Sequence, residues 1–303
     1  MSGQLFKFGV NKPKESEIKP KAIDVGNLEM TSSEFAEFRE EIYKLCGIYF
    51  TESKKYLLEG RISKRIAANN LNSFAEYMRY IRSSSKKDEL DRLFEAITIN
   101  ETYFFRAPQQ FEVLENILLP EILAPRKNTA MPTFRIWSAA SSSGEEAYTI
   151  AIMVLETFRH KYPKVNFQIV GSDINQSVLD AAKQGIYKEY AIRNIPPNLL
   201  SKYFKQEGNL YQLSPEVRRL VKFVNINLYD PNQVKMMSQC DVIFCANVLI
   251  YFDLPSKQQV VSHLYNSLNK GGYLFIGYSE SLHGISKSFK LVHLPKAMAY
   301  QKE

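Results

Sequence analysis

Long apolar runs, targeting signals and paired cysteines are all missing from this sequence. No apolar stretch approaches the roughly 18 residues that a membrane-spanning helix needs, so we expect no membrane insertion. The N-terminal stretch, MSGQLFKFGVNKPKESEIKPK, has no apolar core followed by a small-residue cleavage site, which argues against a signal peptide. The three cysteines, Cys46, Cys240 and Cys245, are odd in number and lack metal-ligand spacing. We interpret them as buried thiols of a reducing compartment, and we expect a cytoplasmic protein without a metal site.

Glycine and proline are also scarce, at 13 residues each, which excludes collagen-like and low-complexity chains. The chain has 303 residues, of which 45% are hydrophobic and 23% charged, as in soluble globular proteins of one large or two modest domains. The net charge is 39 − 32 = +7, and residues 51–93 supply +4 of it. A basic chain can bind nucleic acid, a membrane surface or an acidic protein. Because no long basic run is interleaved with aromatic residues, we expect no nucleic-acid partner.

The first hundred residues have the pattern of a small helical domain. Residues 1–27 carry Lys and Pro without helical or strand periodicity, which predicts a flexible arm. Thr31 and Glu34 form a capping-box pattern, and Gly47 suits the end of the helix that they begin. Further helices are predicted over 53–68, 73–83 and 86–97, which together define an N-terminal helical domain at 28–98.

The pattern changes after residue 98. A linker segment at 99–133 contains a predicted helix at 109–119 that ends at Pro120. Strands and helices then alternate over 134–303, which is typical of a parallel sheet with helices on both faces. The strands are predicted at 134–139, 167–172, 221–226, 241–245 and 273–278, and the helices at 145–159, 175–183 and 256–268. Residues 186–220 break this alternation, and we interpret them as a small insertion with a hairpin at GNLYQL.

The turn after the first strand, WSAASSSGEE, lacks the GxGxxG pattern that holds a pyrophosphate. Glu145 and Glu146 there would repel phosphate and favour a cation, or they merely complement the helix dipole. Asp173 ends the second strand, where an acid can accept hydrogen bonds from ribose hydroxyls or can cap the next helix. A nucleoside pocket with acids and no phosphate cradle indicates S-adenosylmethionine rather than NAD, because S-adenosylmethionine carries a sulfonium, an ammonium and no phosphate.

Two further groups of polar residues lie near the expected ligand site. Asn100, Thr102 and Arg106 lie in ITINETYFFRAP, where the helical domain ends, and Arg106 is either held at a domain interface or an ordinary surface arginine. Asn247 and Tyr251 follow the fourth strand of the alternating pattern, at the edge of the sheet where ligands bind. Tyr251 could equally be a half-buried core aromatic residue.

Five segments in this order and spacing, NETYFFR, IWSAASSSGEEAY, GSDIN, FCANVLIYFD and GYLFIGYSESL, resemble the chemotaxis receptor methyltransferases of the CheR family. The resemblance covers about residues 30–300. It implies an all-α N-terminal domain followed by an α/β, Rossmann-like class I S-adenosylmethionine-dependent methyltransferase domain with a small inserted β-subdomain. It also implies transfer of a methyl group to glutamate side chains of methyl-accepting chemotaxis receptors.

Residue by residue, the resemblance implies cofactor contacts for two groups. In the linker and at or after the first two strands, the implied contacts are Asn100, Thr102, Arg106, Glu145 and Asp173. After the later strands, they are Asn227, Leu228 and Asn247. Arg106 and Tyr251 match positions near the transferred methyl group. Ala246 stands where the family usually has Arg, while Ser141 often matches Cys and Ala147 often matches Pro. An adaptor or sensor that binds the cofactor but is catalytically weak is therefore the alternative.

Docking on the receptor is predicted from two further features. Arg61, Lys64 and Arg65 are neighbours on one helix, and the family uses a positive helix of this domain to meet the acidic helical bundle of the receptor; a solvated face is the plainer interpretation. Some members also grip a C-terminal receptor pentapeptide with a glycine-rich loop of the β-subdomain. Here the matching stretch from Tyr203 to Leu213 is short and has only Gly208, so we predict independence of the pentapeptide.

Overall fold

A computed structural model describes residues 28–83 and 87–303. The predicted arm at 1–27 lies outside these residues. The helical domain is built from α1 (Ser32–Cys46), a 3₁₀ turn (Glu52–Lys54), α2 (Lys55–Ala68), α3 (Phe74–Arg82) and α4 (Lys87–Ile97).

The start and the end of α1 follow the sequence signals. Thr31 Oγ1 accepts a hydrogen bond from the Glu34 backbone N–H at 3.2 Å, and the Glu34 carboxylate accepts one from the Thr31 N–H at 2.9 Å. Gly47 ends the helix at φ 73°, and a Cβ there would lie 2.5 Å from Cδ2 of Tyr229 in the second domain. The capping box and the glycine cap are thereby confirmed, and Gly47 also permits close packing between the domains.

The connecting helix passes through Pro120 instead of ending there, so the predicted end is wrong. It consists of α5 (Pro108–Val113), a π turn (Leu114–Leu118), α6 (Leu119–Leu123) and a 3₁₀ turn (Ala124–Arg126). The Leu119 N–H donates to the Leu114 carbonyl, five residues back, and Pro120 then occupies the first turn of α6. Proline has no backbone N–H, but the N–H groups in the first turn of a helix make no hydrogen bond within that helix. The helix therefore continues through Pro120.

The second domain is built on a mixed sheet. Its strands are β1 (Thr133–Ala139), β2 (Asn166–Asp173), β6 (Val221–Asn225), β7 (Cys240–Cys245), β8 (Leu268–Ile276), β9 (Phe289–Leu294) and β10 (Ala297–Lys302). Their order is β6-β2-β1-β7-β8-β10-β9. The first five positions are parallel, and β10 runs antiparallel to both β8 and β9. The sequence analysis predicted no strand after residue 278, because this final hairpin is half exposed and mixes lysine and histidine with apolar residues.

Helices cover both faces of this sheet. They are α7 (Glu145–Met153), a π turn (Val154–Phe158), α8 (Arg159–Lys161), α9 (Gln176–Gln184), α13 (Pro231–Val234) and α14 (Leu254–Ser267). Two buried apolar clusters, one on each face, include Phe134, Ile136 and Phe244 on one side and Trp137, Ile243 and Leu274 on the other. The predicted sheet between two helical layers is confirmed, and its five predicted strands are parallel; the antiparallel β10 and β9 were not predicted.

The insertion is a small three-stranded sheet with short helices. It contains β3 (Ile186–Lys188), α10 (Glu189–Ile192), α11 (Pro197–Tyr203), β4 (Phe204–Glu207), β5 (Leu210–Leu213) and α12 (Pro215–Arg218), with strand order β3-β5-β4. Glu207 pairs with Leu210, so the predicted hairpin turns through Gly208 and Asn209 alone. We call residues 186–220 the inserted subdomain.

The three cysteines are buried, as predicted. Burial raises the pKa of the Cys46 and Cys240 thiols to about 12, so both remain protonated near neutral pH. In the described part of the chain, no helix has the length and apolar character that crossing a membrane requires. Nor do residues 28–83 and 87–303 hold a group of three or more His, Cys, Asp or Glu side chains suited to a metal ion.

Candidate active site

A cavity of about 570 Å³ lies between the helical domain and the carboxyl ends of the parallel strands. Three hydrogen bonds position the helical domain over that edge: Asn227 Nδ2 to the Leu45 carbonyl at 2.7 Å, the Tyr43 hydroxyl to Asp253 at 3.2 Å, and the Tyr49 N–H to the Tyr251 carbonyl at 3.0 Å. The volume falls within the roughly 300–1,000 Å³ of small-molecule and cofactor sites.

The loop after β1 forms one wall of the cavity in a strained conformation. Ala140, Ser142 and Gly144 have φ values of 58°, 51° and 91°, all in the left-handed region. A Cβ on Gly144 would lie 2.8 Å from Cζ of Phe223, so only glycine lets the loop approach β6 this closely. Ser141 also lines the cavity, but its hydroxyl is buried beside Gly171 of β2 and has no hydrogen-bond partner among the described residues.

Asp173 ends β2 and lines the cavity with 5% of its surface exposed. Its carboxylate accepts hydrogen bonds from the Ser142 and Asn175 backbone N–H groups, each at 2.9 Å. Burial raises the pKa of Asp173, and these backbone hydrogen bonds oppose that rise. The cap of the following helix α9 is Asn175, whose side chain accepts from the Ser177 and Val178 N–H groups. Asp173 is therefore not the cap of α9, and it lines the cavity instead.

The two acids at the start of α7 differ in their position. The resemblance singled out Glu145, but the structure places Glu146 on the cavity wall, while Glu145 lies outside the lining and accepts a hydrogen bond from the Ser143 hydroxyl. Glu146 accepts a 2.7 Å hydrogen bond from the Ser138 hydroxyl. Burial raises the pKa of each to about 7, and the Arg106 charge opposes this rise at Glu146. The sequence analysis noted Glu146 but assigned it no cofactor contact.

Asn100, Thr102 and Arg106 line the opposite wall, on a segment that leaves the helical domain. The Asn100 carbonyl accepts a 3.0 Å hydrogen bond from the Ser142 hydroxyl, which joins the two walls. Arg106 Nη1 donates to the Glu101 carbonyl at 2.9 Å. Arg106 is thus half-buried at the domain interface. Of the two interpretations of this residue, an interface arginine or an ordinary surface arginine, the structure agrees with the first.

Asn227 and Leu228 also line the cavity, after β6. The Asn227 amide is already used within the protein, because Nδ2 donates to Leu45 and Oδ1 accepts from the Tyr229 N–H at 3.0 Å. The Leu228 carbonyl lies 2.9 Å from Nδ1 of His263. These contacts hold the loop, so what it offers a ligand is the remaining backbone and apolar surface.

Ala246, Asn247 and Tyr251 complete the lining after β7. Asn247 has a φ of 61°, and its N–H donates to Glu280 Oε2 at 2.9 Å. The same oxygen accepts from the Gly277 N–H at 2.7 Å. Glu280 therefore ties the ends of β7 and β8 together, a role that the sequence analysis missed although it had noted the motif GYSESL.

Tyr251 is half-buried on the cavity wall. Burial raises the pKa of its hydroxyl, while the positive charges of Arg106 and Arg61 oppose that rise. Both arginines are thus close enough to influence the same hydroxyl, and all three side chains line one cavity.

Comparison with known proteins accounts for nearly the whole chain. Residues 33–98 match the family described as "CheR methyltransferase, all-alpha domain", and residues 100–298 match "CheR methyltransferase, SAM binding domain". The chain belongs to the CheR methyltransferase family. Chemotaxis protein methyltransferase 2 of Vibrio cholerae is 38% identical over 275 residues, or 90% of this chain and 94% of that protein. A chemotaxis protein methyltransferase of Borreliella burgdorferi is 36% identical over 259 residues, or 85% of this chain and 91% of that protein.

Membership of the CheR family establishes a class I methyltransferase fold preceded by an all-α domain, with S-adenosylmethionine as the cofactor. The cavity suits that cofactor: it offers carboxylates, including Glu146 and Asp173, to a ligand with a sulfonium and an ammonium group.

The three basic residues predicted to bind the receptor separate in the structure. Arg61 lines the cavity and donates from Nη1 to the Ile97 carbonyl at 2.5 Å. Arg65 donates to Glu89 at 2.9 and 2.7 Å, a largely buried pair within the helical domain. Lys64 is exposed. Of the predicted basic cluster, only Lys64 is thus a plain surface charge.

Proposed function

We propose that the protein transfers the methyl group of S-adenosylmethionine to glutamate side chains of chemotaxis receptors, which gives glutamyl methyl esters. The observation that carries the proposal is one cavity lined both by acids suited to the cofactor, Glu146 and Asp173, and by Arg106 and Tyr251. A carboxylate substrate is complementary to Arg106, whose guanidinium can hold it without donating a proton to it.

The cofactor supplies an electrophilic methyl group on a sulfonium. Asp173 is placed to accept from the ribose hydroxyls, and Glu146 to face the ammonium group. Asn227 and Leu228 would border the adenine, and Asn100, Thr102 and Asn247 would complete the binding surface. This assignment keeps six predicted cofactor residues, gives Arg106 to the substrate carboxylate, and replaces Glu145 by Glu146, because Glu146 lines the cavity and Glu145 does not.

The reaction needs alignment more than acid–base chemistry. A glutamate side chain has a reference pKa near 4.3, so it is already an anion at neutral pH, and no protein group has to remove a proton. One carboxylate oxygen forms the new bond to the methyl carbon, while the carbon–sulfur bond breaks and its electron pair stays on sulfur. Arg106 and Tyr251 would orient the carboxylate in line with that bond.

The test is incubation with radiolabelled S-adenosylmethionine and receptor-containing membranes, followed by mild base. We expect label on the receptor that base releases as methanol, since carboxyl methyl esters are base-labile. Receptors whose methyl-accepting glutamates are replaced by alanine are the matched control. Base-stable label, or equal label on the control receptor, would contradict the proposal.

A second candidate function rests on Ala246. This alanine lines the cavity at a position where members of the CheR family usually have an arginine, so one charged hydrogen-bond donor is missing. A protein that binds the cofactor and the receptor but transfers methyl slowly would act as an adaptor or sensor. Restoring the charge with Ala246→Arg separates the two: a large gain in methyl transfer favours the adaptor, and little change favours the enzyme.

Receptor docking is proposed to use the exposed side of α2 without the pentapeptide. Support comes from the exposure of Lys64 and from the tight hairpin at Gly208 and Asn209, which leaves little room for a peptide beside β4. Arg61 would meet the receptor only at the mouth of the cavity, and Arg65 would contribute mainly by holding α2 to α4.

A further inference from the structure

An exposed arginine of the inserted subdomain contacts the segment that carries Arg106. The Arg193 guanidinium lies between two tyrosine rings, with Cζ 3.5 Å from the ring centroid of Tyr103 and 3.7 Å from that of Tyr190. It also donates to the Tyr190 carbonyl. Within the described residues Arg193 forms no ion pair with an acid. Arg193 is thus held by Tyr103 and Tyr190, and Tyr103 itself lines the cavity.

Tyr103 and Tyr190 connect Arg193 to Arg106 through direct contacts and hydrogen bonds. The Tyr190 hydroxyl donates to Glu101 Oε1 at 2.5 Å, and the Glu101 carbonyl accepts from Arg106 Nη1 at 2.9 Å. Arg106 Cζ in turn lies 5.5 Å from the ring centroid of Tyr103. The residue expected to face the substrate carboxylate is therefore held by groups that are themselves held by Arg193.

The backbone between these side chains needs such an anchor. Phe105, next to Arg106, has a φ of 54°, which is unfavourable for an aromatic residue. The neighbouring Phe104 N–H donates to the Ala191 carbonyl of the inserted subdomain at 2.9 Å, and its ring packs edge-on against Tyr187 and Phe204. A strained segment persists only where its surroundings hold it, and here much of the surrounding protein is the inserted subdomain.

We propose that Arg193 is a positioning residue, through which the inserted subdomain holds residues 101–106 and sets Arg106 at the cavity wall. An arginine suits this place because its planar guanidinium stacks on two rings at once, which a lysine ammonium cannot do. The expected effect on catalysis rests on the proposed function. The mechanical link, meaning the contacts by which Arg193 holds residues 101–106, does not.

Hydrogen exchange tests the mechanical link without reference to activity. In Arg193→Ala, we expect backbone amides in a peptide covering 101–106 to exchange about threefold to tenfold faster than in the wild type, because two cation–π contacts are lost. Lys188→Ala is the matched control: Lys188 is an exposed cation of the same subdomain with no side-chain contact among the described residues. Exchange that is unchanged in Arg193→Ala, or equally raised in Lys188→Ala, would overturn the inference.

A double-mutant cycle tests whether the link acts through Arg106. We expect Arg193→Ala to lower kcat/KM about threefold to tenfold when it is the only substitution. In an Arg106→Ala background, it should not lower kcat/KM any further. Arg193→Lys should recover less than half of the loss, because it restores the charge without the stacking. Additive losses, with a receptor KM that depends on salt, would show a direct receptor contact and overturn the inference. A wild type that does not esterify receptor glutamates would instead refute the proposed function, and the exchange comparison would still decide the link.

Discussion

Glu146 provides the sharpest test of the cofactor site, because its charge changes with pH near neutrality. It is half-buried on the cavity wall, hydrogen-bonded to Ser138, and its pKa is raised to about 7. The ammonium and sulfonium groups of the cofactor favour the ionised carboxylate. Binding below pH 7 must therefore be accompanied by loss of a proton from Glu146.

The expected magnitude follows from the fraction of Glu146 that is ionised. Apparent affinity is reduced by the fraction of protein in the competent state. With a pKa of about 7, affinity for S-adenosylhomocysteine, which keeps the ammonium group, should fall about tenfold between pH 7.5 and pH 6, and about tenfold per further pH unit. Because the pKa of Glu146 is raised, the neutral form predominates in the free protein below pH 7, and cofactor binding has to displace its proton. This cost is lost as pH rises through 7, so affinity should increase with pH.

The assay is calorimetric titration with S-adenosylhomocysteine at pH values from 5.5 to 8, in buffers of different ionisation enthalpy. We expect proton release of nearly one per molecule bound at pH 6 and almost none at pH 8. Glu146→Gln should bind weakly at pH 8 and lose most of the pH dependence. Glu145→Gln is the matched control, since Glu145 is buried beside it with a pKa also raised to about 7 but does not line the cavity. A full pH dependence in Glu146→Gln, or its loss in Glu145→Gln, would refute the reasoning.

Four further predictions concern the ribose contact, two residues of the basic helix, and the receptor tail. Asp173→Ala should weaken S-adenosylhomocysteine binding by about 1.5–3 kcal/mol, the scale for a hydrogen bond to a charged acceptor, and an unchanged Kd in calorimetry would remove Asp173 from the ribose site. Arg65→Ala should lower the free energy of unfolding in urea by about 2–3 kcal/mol, below the roughly 3–5 kcal/mol of a fully buried pair because 20% of the Arg65 side chain is exposed. Lys64→Ala should leave that free energy unchanged within about 0.5 kcal/mol and should slow receptor methylation most at low salt; equal methylation across salt concentrations would leave Lys64 a solvated charge. A receptor-tail pentapeptide should show no micromolar binding in titration, and deleting the tail should leave methylation intact; binding together with loss of methylation would contradict pentapeptide independence.

Much of the architecture was predictable because its signals are local. The capping box of Thr31 and Glu34 and the apolar spacing that follows require only a few neighbouring residues, and α1 forms where they indicate. The parallel strands were predictable from apolar runs because both faces of a parallel sheet are buried. The final hairpin, β9 and β10, was missed because its residues are half exposed and show no such run. The end of the helix at Pro120 was wrong because a π turn changes the hydrogen-bond register just before the proline.

Local patterns were enough to predict which chemical groups the protein brings to its site: acids after β1 and β2, no phosphate cradle, and an arginine where the helical domain ends. Which of these groups face the cavity depends on the packing of the folded chain. Glu145 and Glu146 are adjacent, but successive residues of a helix point about 100° apart, so only Glu146 lines the wall. Arg61 and Arg65 share one helix, yet Arg61 donates to the Ile97 carbonyl at the end of α4 and lines the cavity, whereas Arg65 is paired with Glu89. Those partners lie 36 and 24 residues away, and contacts over such distances depend on how whole helices pack, which no local pattern records.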